Sequence, residues 1–403
     1  MPRLVSKKYT FAFILVTSLF FLWGYARSIL DVLNKHFQET LSISITQSSM
    51  VQFTTYLGYF LMAIPAGLII TRYGYRRGIV TGLLLFGIGS LLFIPGERSM
   101  SFNIFMTALF LIGCGLALLE TSANPFATEM GDASSAAGRL NLAQSFNGLG
   151  CILGPITVGT ILFSETQGHV ALPYSIMGIV VLAAAAIFIR IPLPEIKDNQ
   201  KDKLTESGLS NSPLHTILRL ITSRRFLLGW LALFFYEISE ISINSLFINY
   251  STHDGWLSRE AAPEVLSLCG LGLFMAARVA GSVLMTRIKA IKLLTVCACG
   301  AIICTVTVIL NIGALSHYSL LGIYLFEAIM FPTIFAMTIV EAGKDIKLAS
   351  SVLMMTPIGG AIGTLLMSVV AQRLSLSLSF VVPAIGFVIV LLYTLNSQKT
   401  QRQ

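Results

Sequence analysis

Apolar runs of about 20 residues, the length a helix needs to cross a bilayer, alternate with short polar breaks along nearly the whole chain. The pattern predicts twelve such helices. The first six lie near 9–33, 46–71, 78–95, 101–126, 140–163 and 171–191. The second six lie near 226–250, 262–286, 291–311, 317–342, 349–371 and 377–396. Between the two groups the pattern changes. The segment opens with Pro192, Leu193 and Pro194 and carries Glu195, Lys197, Asp198, Lys201, Asp202, Lys203 and Glu206. It predicts a solvated linker with a short surface helix at 213–221. The expected organisation is a first six-helix bundle over 1–191, a linker over 192–225 and a second bundle over 226–403.

Composition agrees with that pattern. Only 11% of the 403 residues are charged and 55% are hydrophobic, with a mean hydropathy of +0.80. A soluble domain carries about 25% charge, so this surface must face lipid. The net charge of +8 does not point to nucleic acid, because the basic residues sit between apolar runs. The first apolar run is too long for a cleaved signal, and no small-residue cleavage site precedes a polar domain. Cys114, Cys151, Cys269, Cys297, Cys299 and Cys304 lie in or beside apolar runs without metal-ligand spacing, and read as small hydrophobic fillers.

Orientation follows from the short loops. Arg3, Lys7 and Lys8, then Arg72, Arg76 and Arg77, then Arg139 and the linker fall on one side. Arg287, Lys289, Lys292, Lys344, Lys347, Lys399 and Arg402 fall on the same side. The opposite loops hold only Lys35, Arg98, Arg259 and Arg373. The excess of basic residues predicts that both termini are cytoplasmic. The two groups also share a feature: Gly67 to Gly78 and Gly281 to Lys292 are both tight basic turns after the second helix of a group. Two such halves with a site between them at mid-depth match a common transporter plan.

Charges at bilayer depth are costly and usually face a cavity. Asp31 in the first helix and Glu120 in the fourth are the candidates for proton coupling. Desolvation moves a carboxylate toward the range where it binds and releases protons; a static pair of Asp31 with Arg27, one turn away, is the alternative. Asn124 lies one turn beyond Glu120 and precedes Pro125, which can bend the helix around a cavity. The fifth helix carries Asn141, Gln144 and Asn147, whose amides suit solute hydroxyls or join helices. In the seventh helix Glu240 and Asn244 are four apart and can share a face, while Glu237 is expected to reach Arg278 in the eighth. The tenth holds Glu327 and Pro332, and the eleventh Pro357 with a glycine run. Helices one, four, seven and ten each carry a polar or helix-breaking feature. Arg72, Arg76 and Arg77 read either as orientation signals or as a latch that breaks on opening.

Several segments resemble the fucose–galactose–glucose:proton symporter family of the major facilitator superfamily. They are Phe20 to Gly24 with Leu30-Asp31-Val32-Leu33 and His36-Phe37, Leu119 to Phe126, Asn141 to Asn147, Tyr236 to Tyr250, and Met330-Phe331-Pro332-Thr333. The resemblance covers essentially the whole chain. It implies an all-α membrane protein of twelve transmembrane helices in two six-helix bundles, importing a hexose or deoxyhexose with protons by alternating access. It places protonation on Asp31 and Glu120 and sugar contacts on Gln144 and Asn147, with Asn124 near Glu120. Four departures stand out. Leu30 replaces a usual asparagine, Lys35 a common proline and Glu237 a small or apolar residue, and Arg27 is unusual. They widen the expected solutes to glucose, galactose, an amino sugar or a solute outside the family's range.

The expected coupling ion is the proton, with no metal or other cofactor. The expected partners are a small sugar and the lipid bilayer of a bacterial inner membrane, the chain acting as a monomer. A uniporter would keep the binding residues without titrating Asp31 or Glu120. A drug exporter would favour a greasier cavity, and an anion carrier a persistent pair of cations, for which Arg27 with Arg278 is the one candidate. A nucleotide-binding loop is absent. His36, His169, His253 and His317 fall at expected loops or helix ends and form no catalytic group, so the chain does not read as an enzyme.

Overall fold

The computed structural model describes residues 5, 7–130, 136–162, 169–191, 213–253, 255–285, 287–339, 342 and 345–400. Most of the expected linker, 192–212, lies outside the described residues, with Glu195, Lys197, Asp198, Lys201, Asp202, Lys203 and Glu206. So do Arg3, Lys344 and Arg402, and the side chains of Lys7, Pro125, Arg139, Asn141, Lys347 and Lys399.

Inside hydrocarbon every backbone amide must find a partner within its own segment, and the described chain is accordingly helical. Among the described residues twelve helices are long and apolar enough to span a membrane. They are α1 (Thr10–Thr40), α2 (Ile45–Tyr73), α3 (Tyr75–Ser99), α4 (Phe102–Asn124), α5 (Leu142–Leu162) and α6 (Ala171–Arg190), then α7 (Arg224–His253), α8 (Ala261–Gly281), α9 (Ala290–Ile309), α10 (Ala314–Ile339), α11 (Leu348–Arg373) and α12 (Leu376–Gln398). The surface helix expected at 213–221 is present as Pro213–Thr222. Large apolar side chains such as Ile179, Val283, Ile303 and Leu392 lie exposed on the outer surface, where lipid would cover them.

Packing repeats between the halves. In the first, α1 packs on α5, α3 on α4 and α6, and α2 on α4. In the second, α7 packs on α11, α9 on α10 and α12, and α8 on α10. Adding six to each number of the first set gives the second. The halves meet through α1 with α7, α2 with α11, and α5 with α8, which the same operation exchanges. Small residues permit the closest approaches. A Cβ on Gly150 would collide with the Phe21 carbonyl of α1, and one on Gly363 with the Ile238 carbonyl of α7. These are equivalent contacts in the two halves.

Helices α10 and α11 depart from regularity at prolines, and α8 carries a wider turn. Helix α10 breaks at 328–329, because Pro332 has no N–H to offer the Ala328 carbonyl. Arg278 Nε donates to that carbonyl at 3.1 Å, and the Tyr236 hydroxyl donates to the Glu327 carbonyl at 3.2 Å. Helix α11 loosens before Pro357, where Thr356 Oγ1 donates to the Leu353 carbonyl at 2.7 Å and Trp230 Nε1 to the Val352 carbonyl at 2.9 Å. In α8, Leu266–Leu271 form a wider π-helical turn.

The largest boundary difference from the sequence reading is at the end of α1. Helix α1 runs about two turns past the expected end, to Thr40, and takes Lys35 and the buried His36 into the helix. The extension is polar, so the hydropathy pattern does not reveal it. Other helices hold it, as described below.

The close contact at Gly150 gives a stability prediction. Gly150→Val should destabilise the purified protein by about 1–3 kcal/mol, the range for overpacking a tight core. Gly272→Ala should not, because its Cβ would meet nothing nearer than the Ser267 carbonyl at 3.6 Å. Thermal unfolding in detergent checks both, and a Gly150→Val protein as stable as the native one would contradict the α1–α5 packing.

Candidate functional site

At mid-depth between the halves Arg27 lies among the acids of α4 and α7. Arg27 on α1 points across the interface to α7, with Nη2 3.5 Å from Glu237 and 3.8 Å from Glu240. Its Nε donates to the Tyr56 hydroxyl of α2 at 3.1 Å, and Glu120 of α4 lies within its electrostatic reach. The Glu237 side chain is 1% exposed and that of Glu240 12%, whereas Arg27 keeps 31% open. An unpaired charge at this depth is expensive. The arginine and its acids therefore hold each other in place.

The expected pair of Glu237 with Arg278 does not form. Helix α7 meets α1 across the interface, which brings Glu237 to Arg27. Arg278 is occupied within the second half, where it donates to the carbonyl freed by Pro332 and lies over the Phe274 ring at 4.5 Å. Nor does Arg27 form an ion pair with Asp31. Asp31 is 7% exposed and accepts from Gln52 Nε2 of α2 at 2.9 Å. Glu120 is half-buried and lies beside Tyr59 of α2.

Near these acids several buried acceptors find no donor among the described residues. They include Gln52 Oε1, Asn124 Oδ1, Asn244 Oδ1 and Glu237 Oε1. Buried acceptors are normally satisfied, so this set suits a ligand rich in hydroxyl donors. Gln144 is half-buried on α5. Asn147, one turn further, donates to the Phe20 carbonyl of α1 at 3.2 Å and so also joins α1 to α5. Among the described residues no group of three metal-ligating side chains occurs.

The remaining arginines lie apart. Gly74, at φ 83°, makes the turn between α2 and α3, in a region of backbone space that glycine enters readily. Beyond it Arg76 donates to the Phe188 carbonyl at 3.1 Å and to the Ile189 carbonyl of α6. Arg72 and Arg77 sit over the Tyr73 ring at 5.2 and 5.4 Å. These contacts stay within the first half.

A second polar layer lies between the acidic cluster and the face opposite the termini. Asn34 Nδ2 donates to Ser245 Oγ at 2.6 Å. Gln38 Nε2 donates to Ser48 Oγ at 2.8 Å, and Asn249 Nδ2 donates to Gln38 Oε1 at 2.8 Å. At the rim Arg259 pairs with Glu39, which Lys35 approaches at 3.7 Å. Thr46 donates to Gln372 at 2.7 Å, and Ser49 bonds Ser368. The halves are therefore closed together on this face. The sequence reading missed Gln52, Tyr56 and Tyr59, although their spacing on α2 puts polar groups on one helical face. It also missed Asn34 and Gln38, which lie four apart beyond the apolar run.

The family model described as Major Facilitator Superfamily matches residues 16–351. A glucose/galactose transporter of Brucella abortus (biovar 1, strain 9-941) is 31% identical over 98% of this chain and 96% of its own length. An L-fucose-proton symporter of Escherichia coli K12 is 30% identical over 96% of this chain and 93% of its own. Among solved structures, the major facilitator transporter FucP in its outward conformation superposes with a TM-score of 0.75 at 30% identity, covering 96% of this chain and 99% of that one. The chain belongs to the major facilitator superfamily. It is a multi-pass membrane transporter of that fold, not an enzyme.

The central pair can be tested by removal. Arg27→Met strands Glu237 and Glu240 and should cost about 3 kcal/mol, the low end for breaking a buried ion pair. Arg27→Met with Glu237→Met should recover part of that loss. A double variant no more stable than the single one would show that Arg27 and Glu237 do not interact.

Proposed function

We propose that this chain is a proton-coupled symporter that imports a hexose or deoxyhexose by alternating access. The moving bodies are 1–191 and 226–403, joined by the linker 192–225. The termini face the cytoplasm of a bacterial inner membrane, and one chain suffices. Asp31 and Glu120 carry the coupling protons. Asn124, Gln144, Asn147, Glu240 and Asn244 contact the sugar. Arg72, Arg76, Arg77 and Arg278 act in the conformational change by holding helix ends and the α10 break within their own halves.

The observation that carries this reading is the pairing of buried acids with unsatisfied acceptors at the interface of the halves. Sugar hydroxyls donate to such acceptors, and each hydroxyl also accepts. The relatives named for glucose, galactose and L-fucose transport agree with a polyhydroxy solute. With the termini cytoplasmic, the closed rim is the periplasmic face, so solute in this conformation leaves inward.

Arg27 gives protonation a route to conformation. When Asp31 and Glu120 are neutral, its nearby anions are Glu237 and Glu240 across the interface, and the pairing draws the halves together. When the first-half acids lose their protons they compete for Arg27 from its own half, and the bridge weakens. Proton occupancy thereby biases the rocking of the halves.

Two measurements test this function. In liposomes, adding the transported sugar should drive proton uptake, and Asp31→Asn or Glu120→Gln should abolish it. Fucose, galactose, glucose, mannose and N-acetylglucosamine form the screen, and counterflow without proton movement would make the chain a uniporter. The second measurement concerns the rim. Glu39→Ala should raise labelling of a periplasmic-side cysteine by up to about fivefold, since an exposed pair contributes about 0.2–1 kcal/mol. Unchanged labelling would remove the rim pair from the gate.

A further inference from the structure

Helix α10 carries an acid that the coupling scheme does not use. Glu327 is fully buried, and neither of its carboxylate oxygens has a hydrogen-bond partner among the described residues. The groups facing it are few. From α7, Glu240 and the Tyr236 hydroxyl lie within electrostatic reach. Tyr324 lies one turn back on α10 itself, and Arg278 comes from α8. None of them neutralises the carboxylate. The Tyr236 hydroxyl donates its hydrogen bond to the Glu327 backbone carbonyl. Arg278 gives Nε to the next carbonyl, that of Ala328, and stacks on Phe274. Glu240 is itself an acid and is engaged with Arg27.

An anion in this setting would lack a hydrogen-bond donor and would have only Arg278, beyond ion-pair distance, as a counter-charge. That costs far more than leaving a neutral acid short of one hydrogen bond. A second, independent observation gives the residue a role. Glu327 stands five residues before Pro332, as Glu120 stands five before Pro125. Helices α4 and α10 occupy equivalent places in the two halves, since α3 packs on α4 as α9 packs on α10. Glu327 is therefore the second-half counterpart of Glu120.

We propose that Glu327 is the proton-carrying residue of the second half, held as a neutral carboxylic acid in this conformation. It releases its proton to water when the α10 break rearranges and Arg278 leaves the Ala328 carbonyl to pair with the carboxylate. Only its use in transport rests on the symport reading. Its protonation can be measured without any solute.

The test is infrared spectroscopy of the reconstituted full chain near neutral pH. Glu327→Gln should remove one carboxylic-acid C=O band, and Glu327→Asp should keep a band at a shifted frequency. If Glu327→Gln fails to assemble, the shift in Glu327→Asp decides alone. A carboxylic-acid spectrum unchanged in either variant would overturn the proposal. In transport, Glu327→Gln should retain sugar counterflow and lose accumulation against a gradient. Full accumulation by Glu327→Gln would also overturn the role in coupling. If the unmodified protein moves no protons with any sugar, it is the symport reading that fails, and the infrared band still decides whether Glu327 carries a proton.

Discussion

A charge at the centre of a bilayer must be answered by another charge or by a proton, and the interior of this carrier is arranged around that requirement. Arg27 meets it by reaching across the interface to Glu237 and Glu240. Asp31 meets it with a donor from α2. The same cost that makes these residues rare at depth makes their pairing strong enough to couple two otherwise separate bundles. Neutral amides then continue the contact toward one face, from Asn34 with Ser245 to Gln38 with Asn249. The junction thus changes along its depth from ionic, through amide, to an ionic rim.

The sequence revealed the fold through its hydropathy. Twelve apolar runs predicted twelve spans, and the extra turns of α1 escaped because they are polar and held by tertiary contacts. The acids were visible for the same reason, since a carboxylate in an apolar run stands out. Their partners were not. The sequence reading takes Glu237 to Arg278 on the next helix. Glu237 pairs instead with Arg27, some two hundred positions earlier in the chain, because α1 and α7 face each other across the interface. Linear spacing reports which residues share a helical face, but it cannot report which two faces meet. Gln52 and Tyr59 went unnoticed because uncharged polar groups barely disturb a hydropathy profile.

The repeated packing explains why the breaks in α10 and α11 are tolerated. Each proline leaves carbonyls without their usual amide, and side chains from elsewhere replace it: Arg278 and Tyr236 at α10, Trp230 at α11. Such donors keep the backbone satisfied while leaving the helix free to bend, as membrane helices require. Gly150 and Gly363 serve the opposite purpose. By bringing backbones into contact they fix α1 to α5 and α7 to the part of α11 beyond its break.

The layered junction has a consequence for how the carrier meets its surroundings. The pair of Arg259 and Glu39 is more than half and about a quarter exposed, respectively, and sits where dissolved ions reach it. At physiological ionic strength the screening length is about 8 Å, and added salt weakens such a pair. The amide layer beneath carries no net charge and is indifferent to salt. Salt on that side of the protein therefore weakens the outermost layer and leaves the amide layer beneath it untouched.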